Sequence, residues 1–210
     1  RDACEALSSP EKFAVAEHSA RIVLQAEDCL VDPYACERDR YMAENVGWLL
    51  EQAGPDAKIV LWAHNGHIAN KVTSTWRSMS SHLKETYGEE MVSFGFAFDH
   101  GSFNAYTCDF EARQCEGLDS HYIPSASADS YEWYFTAAGI PQMMLDLRDV
   151  STTSPATAWL EGPRRFHHVG AAYNPDFPKP YSREADLMTE FDIIVYFDET
   201  TPSELLLVLP

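Results

Sequence analysis

The stretch Lys58-Ile59-Val60-Leu61-Trp62-Ala63-His64-Asn65-Gly66-His67 constrains the fold more than any other in the chain. Residues 59–63 are all apolar, and Ile59 and Val60 are β-branched. A run this short cannot be a helix that hides on every side, so it predicts a buried strand. The run stops at His-Asn-Gly-His, where Gly66 permits a sharp turn. Ligands in open α/β sheets bind beyond the carboxyl ends of strands. The pattern therefore predicts that His64 and His67 are delivered together to a binding crevice. The plainer alternative is two solvated loop side chains.

The flanking sequence supports an α/β reading. Ser9-Pro10 has the form of a helix cap followed by a first-turn proline, and the helix it opens should end near Asp28. A second helix is expected over 37–53, with Met42, Val46, Leu49, Leu50 and Ala53 as its apolar stripe and Gly54-Pro55 as its stop. It leads straight into the 59–63 run, the helix-to-strand half of a βαβ unit. Helices are also expected over 79–87 and 127–138. Further strands are expected over 91–98, 142–147 and 191–197, with a turn at 99–102 and a hairpin or excursion over 106–117. Gly95, set among large aromatics, predicts close approach by a neighbour. Residues 151–165 read as loop, 177–181 as a proline-punctuated rim, and the type of the 205–209 tail stays open. Strands alternating with helices imply an α/β fold, a largely parallel or mixed sheet flanked by helices. No repeat or linker divides residues 1–210, which read as part of one domain.

Charge and cysteine content narrow the function. There are 33 acidic against 15 basic residues, a net charge of -18. Such a field repels phosphate backbones and anionic lipid, so nucleic acid and membrane surfaces are excluded as expected partners and a small molecule is favoured. No apolar run approaches the roughly 20 residues that span a bilayer. Cys29 with Cys36, and Cys108 with Cys115, are spaced to close small loops as disulfides, leaving Cys4 over. That reading favours a periplasmic or secreted protein; five reduced thiols in the cytoplasm is the alternative. The opening Arg1-Asp2-Ala3-Cys4 reads as mid-protein and predicts a missing amino-terminal half of the same protein.

Arg38-Asp39-Arg40-Tyr41-Met42-Ala43-Glu44-Asn45, Trp48, and Ala63-His64-Asn65-Gly66-His67 together resemble the erythromycin esterase family. Tyr87-Gly88, Gly101-Ser102-Phe103, Phe191-Asp192-Ile193-Ile194 and Glu199-Thr200-Thr201-Pro202 extend the likeness from about residue 37 to the end. Ser80 departs from it, standing where the family usually has glycine. The resemblance implies an α/β esterase-like fold and hydrolysis of a carboxylic ester of the macrolactone type, with macrolide resistance as one role. It implies a histidine general base helped by glutamates and an arginine in the amino-terminal half, which this chain does not match. It carries His64 and His67 into the active-site cleft.

From these readings, His64 and His67 are the candidate catalytic pair, polarising the ester carbonyl and protonating the leaving group. Asn65 is a second carbonyl donor or a turn former. Arg38 pairs with an acid or reaches substrate, and Phe103 lines the pocket. Asn45, on a largely apolar helix face, is expected to hold the His64 loop. No cofactor is expected. A divalent metal on His64 and His67 is the minority alternative, since no third ligand is evident, and a non-catalytic binding module that keeps the cleft is the other. His167-His168 reads as a rim pair. No Gly-x-Ser-x-Gly elbow is present, which disfavours a serine nucleophile.

Overall fold

A computed structural model describes residues 8–32, 36–109, 111–177 and 181–204. Cys4, the Pro33 turn and the 205–209 tail lie outside the described residues. Helix α1 (Pro10–Val31) starts as expected, with the Ser9 hydroxyl accepting from the Lys12 N–H. Helix α2 (Arg38–Ala53) ends at Gly54, and α3 is a single turn, Asn65–Ile68. Helix α4 (Met79–Tyr87) is capped by the Ser78 hydroxyl at its start and by Gly88 at its end. Cys29–Cys36 and Cys108–Cys115 are both disulfides.

Strand β1 (Phe94–Asp109) is the axis of the sheet. Its first half pairs in parallel with β7 (Ile193–Thr200), and its second half pairs antiparallel with β2 (Gln114–Ile123). Strand β3 (Gln142–Asp146) adds antiparallel to β7, giving the order β2-β1-β7-β3. After β4 (Arg164–His167), the short β5 (Ala172–Tyr173) joins β1 in parallel. Strand β6 (Ser182–Ala185) pairs with β4 as a separate ribbon. The sheet is thus mixed, with helices α5 (Tyr131–Ala137) and α6 (Leu187–Glu190) beside it.

The turn expected at 99–102 does not form, and β1 runs on. Gly101 is the reason: at φ +126° it passes so close to β7 that a Cβ there would lie 2.2 Å from the Thr200 carbonyl oxygen. Gly95 does what its setting predicts. A Cβ there would meet Ile194 and Phe191 at 2.8 Å. Around that contact lies the main core, built from Tyr131, Phe135, Phe166, Leu187, Phe191, Ile194 and Tyr196.

The largest departure from expectation is the 59–63 run. It is extended but belongs to no strand, and it is not buried. Leu61 and Ala63 pack on the cluster formed by Val46 of α2 and Met79 and Leu83 of α4. Val60 and Trp62 point the other way and are 93% and 86% exposed. The physical reason is alternation: an extended chain shows successive side chains to opposite faces, and only one face here has helices against it. Helix α1 is similarly bare. Its polar side chains Arg21, Gln25 and Asp28 bond Glu44, Asn45 and Tyr41 of α2, while Val23, Leu24 and Leu30 are exposed.

Candidate functional site

The polar cluster after the run is fixed by three separate anchors. The carboxamide of Asn65 accepts from the Phe96 N–H (3.0 Å) and donates to the Phe96 carbonyl (2.6 Å), satisfying both backbone groups of one β1 residue. His64 caps α3: its Nδ1 accepts the Gly66 N–H at 3.0 Å. Nε2 therefore carries the proton and donates it to the Val169 carbonyl at 2.7 Å. His67 is held from α2. Its Nε2 lies 2.9 Å from Arg38 Nη2, and its Nδ1 lies 2.7 Å from Asp39 Oδ1. A guanidinium has no lone pair to offer, so Nε2 is the acceptor and Nδ1–H donates to Asp39.

Asp39 is the buried root of this chain, only 5% exposed. It accepts from His67, from the Trp76 indole at 3.2 Å and from the Met79 N–H at 2.9 Å. The last places its charge at the amino end of α4, where the helix dipole favours it. The sequence Arg38-Asp39 thus acts through His67: the acid orients the imidazole, and the imidazole orients the guanidinium.

A cavity of about 250 Å³ opens at this point, lined by Arg38, His64, His67, Lys71, His168 and Arg183 among others. His168 follows β4, and Arg183 lies on β6, so the ribbon supplies this wall. Burial, then its neighbours His64, Arg183 and Lys71, pushes the His168 imidazole down to about 4, so it is neutral at pH 7. Its ring stands edge-on to His64, centroids 5.1 Å apart, with no hydrogen bond to its nitrogens among the described residues. Glu190 grips Arg183 with both oxygens. His167 is turned inward: its main-chain N–H donates to the buried Glu132, and its ring bonds the Phe98 carbonyl. Burial pushes the Glu132 carboxyl up to about 7.

A larger hollow of about 440 Å³ lies between α1, α2 and α4. In its lining Arg21 and Arg40 both pair with Glu44, and Glu85 pairs with Arg77, as expected of packed helices. Among the described residues, Asp99, His100 and Asp198 could share a cation, their ligand atoms lying within 4.8 Å of one another. Each already has a partner: Asp99 bonds His100 and the Ala126 N–H, and Asp198 accepts from the Tyr196 hydroxyl.

The structure brings His64, His67 and Arg38 to one cavity and corrects two other assignments. Asn65 spends its amide oxygen and one of its two N–H donors on Phe96, which ties the loop to β1 and leaves one N–H. Asn45 donates to Gln25 of α1 at 3.1 Å and does not hold the His64 loop; Asn65 does that. Phe103 packs on Tyr173 in a separate cluster and does not line this cavity. A metal shared by His64 and His67 finds all four ring nitrogens engaged. Sequence reasoning passed over Asp39, although it stands inside the quoted motif. It set His168 aside and missed Lys71 and Arg183, which no local pattern ties to the loop.

With this geometry in view, comparison with known proteins is direct. The erythromycin esterase profile matches residues 2–200. The chain belongs to the erythromycin esterase family. The match begins well before residue 37 and so takes in α1. A Bacillus subtilis protein, YbfO, which its name assigns provisionally to the hydrolases, is 24% identical over 175 residues, 79% of this chain and 35% of its own length. A Bacillus cereus crystal structure superposes with a TM-score of 0.75 at 25% identity, over 93% of this chain and 47% of that one. An erythromycin esterase, EreC, captured as a histidine-to-asparagine mutant in an open conformation, shares the fold at a TM-score of 0.53 and 22% identity, over 82% of this chain and 39% of that one. The chain spans between a third and a half of the length of these relatives.

Proposed function

We propose that this chain forms part of a hydrolase that cleaves a carboxylic ester, a macrolactone being one candidate, by direct attack of water. The observation that carries the reading is the Asp39–His67–Arg38 relay ending in a cavity. An ester's carbonyl oxygen gains negative charge as water adds, and a preorganised cation beside it lowers that barrier. Arg38 fills this role, and its exposed side chain is aimed by His67, whose tautomer Asp39 fixes. Hydrolysis then balances simply: water oxygen bonds the carbonyl carbon, a base takes its proton, and the same proton passes to the departing alkoxide.

His67 acts through Arg38, and His64 shapes the turn while walling the cavity. Neutral His168 can hold the attacking water, but a group titrating near 4 is a poor proton acceptor at pH 7. We assign the base to the rest of the protein, which would build the facing wall; the relatives are about twice as long. The family membership and YbfO's name support hydrolysis, and EreC's name makes erythromycin a substrate to try. The scheme calls on no metal, and the disulfides favour an oxidising compartment.

The test is to assay the full-length protein against erythromycin, simpler lactones and open-chain esters. Arg38→Ala should lower kcat roughly 100- to 1000-fold, the cost of removing one oxyanion donor. Absence of hydrolysis of every ester overturns the reading.

A further inference from the structure

We infer that the substrate carries a carboxylate close to the bond that is cut, and that Lys71 beside Arg38 selects it. This rests on the ester-hydrolase reading and names the class of ester.

The argument is an inventory of charge. Three cationic side chains line the cavity: Arg38, Lys71 and Arg183. Two acids lie close to them, Asp39 in the lining and Glu190 against Arg183, and neither pairs with Lys71. Asp39 accepts from His67, Trp76 and the α4 backbone, and Glu190 holds Arg183 by both oxygens. Lys71 has no acidic partner among the described residues. The three histidines add no compensating negative charge. The ring nitrogens of His64 and His67 are all taken by hydrogen bonds, and burial, with the charges of Arg183 and Lys71, disfavours a proton on His168.

A single developing oxyanion asks for one cation or a pair of N–H donors. Arg38 answers that need, which leaves Lys71 in surplus. The surplus is set in a chain of net charge -18, whose overall field turns anions away. A locally positive cavity in such a protein is an address for a negative group. The Lys71 ammonium, lining the same small cavity as the oxyanion group Arg38, suits a carboxylate set a short distance from the reacting carbonyl, with the Trp76 ring left for the short chain that carries it. The favoured substrate is thus a half-ester of a small dicarboxylic acid, or an ester with an acid on its acyl side.

Monomethyl succinate and dimethyl succinate differ only in that charge. With the full-length protein, kcat/KM for the monoester should exceed that for the diester by roughly 10- to 100-fold, the range for a hydrogen bond to a charged group. In Lys71→Met the ratio should fall toward one, and 0.5 M salt should shrink it in the wild type. Equal rates for the two esters, or preference for the diester, overturn the inference while leaving ester hydrolysis standing. If neither ester is cleaved, hydrolysis itself is in doubt, and calorimetric titration with succinate decides separately. Binding that weakens in Lys71→Met sustains the anion site, and no binding overturns it.

Discussion

Residues 59–63 and 193–197 are both runs of five apolar or aromatic residues opening on a β-branched pair, and the protein uses them in opposite ways. Ile-Ile-Val-Tyr-Phe becomes the start of β7, between β1 and β3, with Ile194 and Tyr196 0% and 1% exposed. Ile-Val-Leu-Trp-Ala becomes an unpaired segment, half-buried on one side and bare on the other. Nothing within either run distinguishes them. Burial comes from neighbours: β7 has a strand on each edge, and Phe135 and Phe191 pack with it in the core. The 59–63 segment has only the α2–α4 cluster. Its worth lies at its end, where it delivers the His64 loop, whereas β7 holds the core together.

The contrast is tested most strongly by truncating β7. Ile194→Ala removes a fully buried side chain from a close contact in the sheet, against Gly95, and should cost about 3–5 kcal/mol in chemical denaturation. A cost below about 1 kcal/mol would mean that this core collapses freely and that the two runs differ less than their exposures imply.

The second effect is smaller and sits at the end of the unpaired run. Asn65 ties that segment to β1 through the Phe96 N–H and carbonyl, so it replaces the ladder the segment lacks. Asn65→Ala strands both groups and should cost about 2 kcal/mol, with faster amide exchange at Phe96 as the local sign. Loss of hydrolysis without faster exchange at Phe96 would point to direct contact of Asn65 with substrate.

These residues also mark what could be read in advance. Helix ends were legible because their signals are local: Ser9-Pro10, Gly54 and Gly88 each stand where the chain stops or starts a helix. The Cys108–Cys115 loop and the tight contact at Gly95 were legible for the same reason. The mixed α/β class followed from strand and helix count. What failed needed knowledge of the far partner. Asn45 and Asn65 are both polar residues on partly apolar segments, and only the fold reveals that one meets Gln25 and the other Phe96. The 99–102 turn signal was real in composition, yet Gly101 serves a close strand crossing. The cavity's Lys71, His168 and Arg183 arrive from three distant segments, so no spacing rule could gather them.

The smallest expected effect is the most informative about the bare side. Trp62 and Val60 expose most of their surface, and the Trp62 ring is tilted against Phe96, ring centroids 5.2 Å apart. In the 210-residue chain, Trp62→Ser should change stability by no more than about 0.5 kcal/mol, the usual range for a surface substitution. The same replacement in the intact protein separates two situations that look identical here. If the change stays small, the segment is a surface strap whose apolar residues face water. If it rises above about 2 kcal/mol, further chain covers Val60 and Trp62, and the 59–63 run is a buried element after all. Its burial would then depend on neighbours outside these residues, as β7's depends on neighbours within them.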